Sequence, residues 1–266
     1  LAQFDAFTHS ADAGLKHRYL GAGTKVVSYR ESGDLRVETY KELKTVGGLV
    51  GVPTPWSQLN ESIQGFVDGT LNVITALQNV GKSFLLCIIA EHCLKLKKKV
   101  LFVTLEMPVH RMQRRVDAIR HKIPFGMLRD TSLDMITEEK WIMSLKKDVS
   151  GDGDILFADK KLVRFVSDVT ALVSEYKPDV VLIDGGYRFE GRGKSSWEST
   201  VSIVNELQLS AEVTNVPWVV STQQGDANED GKERKRGPKM RAWNVRYGRE
   251  WVISPDVVVG LYQSQD

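Results

Sequence analysis

Residues Ala76-Leu77-Gln78-Asn79-Val80-Gly81-Lys82-Ser83 have the types and spacing of a phosphate-binding loop whose first glycine is replaced by alanine. A loop of this pattern turns successive backbone N–H groups inward. The helix that follows then aims its positive end at the phosphates. Nucleotide binding is the chemistry expected of the stretch 76–84, which runs on into Phe84. Lys82 is placed to reach the β- and γ-phosphates, and the Ser83 hydroxyl to hold Mg²⁺. Alanine at position 76 is the smallest substitute for the glycine that eases the turn.

Other candidates close apolar runs. Asp184 follows Val180-Val181-Leu182-Ile183, where an acid can hold Mg²⁺ through water, opposite Ser83. Glu106 follows the run 100–105 and precedes Met107-Pro108. It can orient and polarise an attacking water, or simply pair with a helix N-terminus. Gln223 closes the run from Trp218, and its amide can donate to a γ-phosphate while accepting from water. Gln224 is the neighbouring alternative, pointing to the other face. Beyond them, residues 232–241 form the most basic stretch, with Arg234, Lys235, Arg236, Lys239 and Arg241. It reads either as a DNA-binding loop or as a solvated charge run. A second loop, 185–196, carries Arg188, Arg192 and Lys194 and is expected to line the same surface.

These residues need a scaffold that gathers strand ends. The runs 71–75, 100–105, 179–184, 217–223 and 256–262 are continuously apolar, as in strands buried on both faces. Helical patterns separate them. They cover 84–97, a segment opening at Pro108, about 161–176 with Leu162, Val166, Val169 and Val173 on one face, and about 197–214 with Trp197, Val201, Val204, Leu207 and Ala211. Alternation of this kind predicts an α/β fold with a central, mostly parallel sheet flanked by helices. Residues 1–46 differ and are read as a small N-terminal extension or linker. Within them, 25–29 and 35–39 flank a Gly-containing turn and predict a hairpin, although 38–44 can equally begin a helix. The ATPase unit is placed at 47–266.

Composition narrows the class. At 42% hydrophobic and 26% charged, the 266-residue chain can bury a large core, and no apolar run reaches the ~18 residues of a membrane span. Residues 1–20 lack a signal-peptide core, and Cys87 and Cys93 sit in an apolar helix, so a reducing cytoplasm is expected. The net charge of +2 means that any nucleic acid must be met by a local patch. The five histidines show no zinc-ligand spacing, so no structural metal is expected.

Several stretches together resemble one family. Gly51-Val52-Pro53-Thr54-Pro55-Trp56-Ser57-Gln58-Leu59-Asn60 is similar to its opening segment, and Gly65-Phe66-Val67-Asp68-Gly69 leads into the phosphate loop. Thr104-Leu105-Glu106-Met107-Pro108 resembles its Ser-Leu-Glu-Met motif. Val216-Pro217, Ser221-Thr222-Gln223 and Ser254-Pro255-Asp256 follow in the family's order. The family is the RecA-like ATPase domain of DnaB-type replicative DNA helicases, in a divergent, phage-like form. Alanine is common there at the position of Ala76.

The resemblance implies an ATP-hydrolysing motor that translocates on single-stranded DNA, with ATP and Mg²⁺ as cofactors. Glu106 matches the catalytic glutamate, Asp184 the second Mg²⁺ acid and Gln223 the γ-phosphate sensor. The basic loop matches the region of the DNA-contacting loops. A hexameric ring is implied, with ATP between subunits and an arginine finger from the neighbour. Location would be cytoplasmic, in a bacterial host if the protein is viral. Two alternatives stand beside this reading: a RecA- or RadA-like recombinase, and a nucleotide-gated DNA-binding module without efficient hydrolysis. There are departures. The family's aromatic-Leu-Gln segment is Gly185-Gly186-Tyr187-Arg188 here. No finger matches by position, and Arg241, Arg246 and Arg249 are substitutes in principle. The chain starts at Leu1 and carries no helical collar domain, as expected of an excised ATPase domain or a reduced viral protein.

Overall fold

The computed structural model describes residues 3–8, 28–147, 153–193, 195–223 and 249–262. Strands β1 (Gln3–Thr8), β2 (Leu71–Ala76), β3 (Lys99–Thr104), β4 (Asp154–Asp159), β5 (Val180–Asp184), β6 (Trp218–Gln223) and β7 (Val257–Tyr262) form one sheet. Its order is β1-β7-β2-β6-β5-β3-β4. Every described pairing in it is parallel except β1 with β7. The helices are α1 (Gly33–Thr45), α2 (Ser57–Ile63), α3 (Lys82–Lys95), α4 (Val109–Arg120), α5 (Phe125–Arg129), α6 (Met135–Lys147), α7 (Val166–Tyr176), α8 (Ser196–Thr214) and α9 (Glu250–Ile253).

The continuous apolar runs are explained by two cores, one on each face of the sheet. Side chains alternate along a strand. Val180 and Leu182 of β5 therefore join the α3–α4 side with Ile74, Phe102 and Val219. Val181 and Ile183 join the opposite side, packed with Val204 and Leu207 of α8, Val169 of α7 and Trp251 of α9. The same parity fixes the chemistry. Continued by one step, the even-numbered face of β5 turns Asp184 toward α3. On β6 the odd-numbered face of Val219 does the same for Ser221 and Gln223.

The opening segment is tied down locally. Asn60 accepts from the Thr54 backbone N–H at 2.7 Å and donates to the Thr54 carbonyl at 3.0 Å. Gly51 lies so close to the Phe66 carbonyl that a Cβ would come within 2.1 Å of its oxygen. At the far end, Asp256 accepts from the Leu71 N–H at 2.9 Å, which pins β7 beside β2.

Four expectations require correction. The run 35–39 is not a hairpin strand but part of α1. Leu35 and Val37 both remain exposed, so no partner sheet rewards their alternation, and Asp34 and Lys44 suit the helix ends. Residues 3–8, within the expected extension, instead supply the antiparallel edge strand β1. Leu162 lies outside α7 and is exposed; the helix starts four residues later, where Asp168 accepts from the Arg164 and Phe165 N–H groups at 2.8 Å each. Trp197 is exposed in the first turn of α8, whose buried face is built by Thr200, Ile203, Val204, Leu207 and Ala211. The expectations for β2, β3, β5, β6 and β7 match the observed strands to within one residue at each end.

Candidate nucleotide site

The loop between β2 and α3 has the backbone that an anion cradle requires. Asn79 (φ 64°) and Gly81 (φ 108°) are both left-handed, a conformation open to glycine and tolerated by asparagine. No side chain caps the N-terminus of α3, so its first N–H groups are free for an acceptor. Lys82 Nζ lies against the loop, donating to the Ala76 and Leu77 carbonyls at 3.2 and 3.0 Å. Burial lowers its pKa, opposed by the carboxylates of Glu106 and Asp184. Those two acids are thus electrostatic neighbours of the lysine.

Asp184 is almost wholly buried and is held from two sides. Ser83 Oγ donates to Oδ2 at 2.8 Å, and Ser221 Oγ donates to Oδ1 at 3.0 Å. Desolvation pushes the carboxyl pKa up, with the Glu106 charge acting in the same direction. The two hydroxyl donors and the Arg115 guanidinium pull it down. A hydroxyl and a carboxylate on one spot are hard oxygen ligands suited to Mg²⁺. The donor set therefore fits the ion.

Glu106 is exposed, two residues past β3, beside the β5 end where the Leu105 N–H donates to the Asp184 carbonyl at 3.0 Å. Gln223 stands in register with Ala76, the first residue of the loop. Lys82, Ser83, Glu106, Asp184 and Gln223 thus gather at the carboxyl end of the sheet. Arg188 and Arg192 follow β5 at that same end. Lys194, Gln224, Arg234, Lys235, Arg236, Lys239, Arg241 and Arg246 lie outside the described residues. Arg249 is exposed and immediately precedes α9.

Sequence reasoning passed over three further residues. Ser221 carries Asp184 and also accepts from the Gly185 N–H at 2.9 Å. A polar residue inside an apolar strand was the available signal. Tyr187 donates its phenolic hydrogen to Glu106 Oε1. Arg115 faces Phe84 and Phe125, 5.1 and 5.6 Å from the ring centroids, and its Nε is buried without a partner. Nothing in its helical spacing marks it out from the other arginines of α4.

The family model of the DnaB-like helicase C terminal domain matches residues 51–241. The chain belongs to that family. Replicative DNA helicase DnaC of Bacillus subtilis (strain 168) is 24% identical over 249 residues, covering 89% of this chain and 53% of that protein. The DnaB-like replicative helicase of Enterobacteria phage T4 is 27% identical over 184 residues, 64% of this chain and 38% of the relative. The chain therefore spans about half or less of these helicases' own length. A solved DnaB-like replicative helicase, studied with its interactions with primase, superposes with a TM-score of 0.74 at 19% identity, covering 91% of this chain and 58% of that one. A solved ATPase domain gives 0.74 at 18% identity, covering 87% and 83%. At those identities the likeness establishes the fold, which is RecA-like.

Proposed function

We propose that this DnaB-like domain is an ATP-hydrolysing motor that translocates on single-stranded DNA. The observation carrying the reading is the Ser83–Asp184 contact at 2.8 Å, which joins the phosphate loop to the end of β5. Residues 47–266 form the motor unit in this proposal. The backbone 76–84 cradles the phosphates, and Lys82 leaves its two loop carbonyls for the β- and γ-oxygens. Ser83 and Asp184 would hold Mg²⁺, which would supply charge neutralisation at the phosphates. Glu106 orients the attacking water and accepts its proton, and Gln223 contacts the γ-phosphate from the adjacent strand. Arg188, Arg192, Lys194 and the basic run 232–241 receive the DNA phosphates. A homo-hexameric ring in a bacterial cytoplasm is the setting that family membership favours, with a finger arginine from the neighbour.

Lys82→Ala is expected to abolish nucleotide binding. Glu106→Gln is expected to lower turnover roughly 100-fold or more, leaving a residual rate that can still be measured, with binding retained. Both variants should keep the circular dichroism and melting profile of the parent. Near-normal hydrolysis in Glu106→Gln would remove the catalytic assignment. Electron microscopy with an ATP analogue and single-stranded DNA separates rings, as expected here, from the filaments of a recombinase.

A further inference from the structure

The segment after Asp184 departs from the family pattern, and its two glycines have a geometric reason. Gly185 is left-handed (φ 91°), and a Cβ there would come within 2.7 Å of Glu106 Cγ. A Cβ on Gly186 would come within 2.3 Å of Val220 Cγ1 and 3.0 Å of Trp251 Cη2. Only a chain without side chains at both positions can fold this tightly onto β6. The result is the turn Gly186–Arg188, closed by Arg188 N–H donating to the Gly185 carbonyl at 2.8 Å. That turn carries the Tyr187 ring back over the site, where its hydroxyl meets Glu106 Oε1. Among the described residues this phenol is the hydrogen-bond partner of Glu106.

We propose that Tyr187 is a positioning residue for the water-activating carboxylate: it holds Glu106 by Oε1 and leaves Oε2 to engage the attacking water. The assignment rests on Glu106 serving in hydrolysis, as proposed above. Exposed glutamate side chains sample several rotamers, and a fixed donor on one oxygen selects one of them. Burial and the Glu106 carboxylate push the phenol's pKa up to about 12, so the hydroxyl remains a donor at neutral pH. The Arg188 guanidinium lies over the ring, 5.4 Å from its centroid.

The test is Tyr187→Phe, which keeps the ring and its packing while removing the hydroxyl, and with it the hydroxyl's bonds to Glu106 and to Arg188. With ATP and single-stranded DNA, kcat is expected to fall roughly 10- to 100-fold at unchanged KM and unchanged nucleotide affinity. In a Glu106→Gln background, Tyr187→Phe is expected to cost nothing further, because the phenol acts through the carboxylate. An unchanged kcat, an equal loss in both backgrounds, or a loss carried by KM would overturn the proposal. Should Glu106→Gln itself hydrolyse ATP normally, the underlying catalytic assignment fails instead, whatever Tyr187→Phe does.

Discussion

Asp184 is asked to remain ionised where burial opposes the charge. Its desolvation is met by two hydroxyl donors, and Ser221 does more than its share. The Ser221 oxygen donates to Asp184 and accepts from Gly185, so one side chain fixes both the acid and the start of the turn that follows. Ser221 is fully buried, and water cannot replace it without room. Ser221→Ala leaves a carboxylate oxygen and a backbone N–H without a partner. We expect a loss of about 1–3 kcal/mol in urea unfolding, together with a higher Mg²⁺ requirement for hydrolysis. A Mg²⁺ titration at saturating ATP reads the second effect. An unchanged titration would show that the hydroxyl serves the fold alone. Val220 and Thr222 on the opposite face of the same strand give no such double effect, which makes the parity of β6 testable at the level of one atom.

At the scale of elements, helix α3 joins site and core. Its N-terminus addresses the phosphate loop while its body is buried between β2, β3 and α4. Cys87 and Cys93 are both fully buried in it. Burial pushes each thiol up to about 12 from an ordinary value of 9.0. The sign follows from proton counts: above pH 9 the unfolded chain loses these protons while the folded chain keeps them. Stability contributed by the neutral thiols is therefore full below pH 9 and declines as the pH rises toward 12. Melting curves from pH 8 to 10.5 should show a steeper decline for the parent than for Cys87→Ala/Cys93→Ala, even if the variant starts lower. Parallel slopes would contradict the burial. The helix itself was legible from its unbroken apolar character, as were the two-sided strands. Strand β4 was not: it is an edge strand with only Ala158 buried, and four apolar residues between aspartates carry a weak signal. The start of α8 was readable in principle from Ser195 and Glu198, which cap it reciprocally at 3.2 and 3.0 Å. The Tyr187–Glu106 contact was beyond reach, because it depends on two glycines whose role is set by Val220, Trp251 and Glu106 itself, residues remote in sequence.

Across the whole molecule, the near-balanced charge means that the proposed DNA contact has to be local. The chain's net charge is only +2, yet Arg188, Arg192 and Lys194 follow β5, and the run 232–241 follows β6. Both strands end at the sheet edge that holds the phosphate loop. In the proposed function a DNA strand would be drawn to these cations, and binding driven by them is expected to weaken steeply with salt. Each cation that neutralises a phosphate of single-stranded DNA contributes about −0.7 to the slope of log K against log salt concentration. Replacing Arg234, Lys235 and Arg236 by alanine should therefore flatten that slope by about 2 if all three contact phosphates. Binding at low salt should weaken, while hydrolysis in the absence of DNA keeps the parental rate. A fluorescence anisotropy titration with an oligonucleotide from about 50 to 200 mM salt, a range in which counterion release dominates, measures the slope directly. A flattened slope with intact DNA-independent hydrolysis assigns the run to the DNA path. An unchanged slope makes it a solvated charge run and removes it from the proposed DNA path.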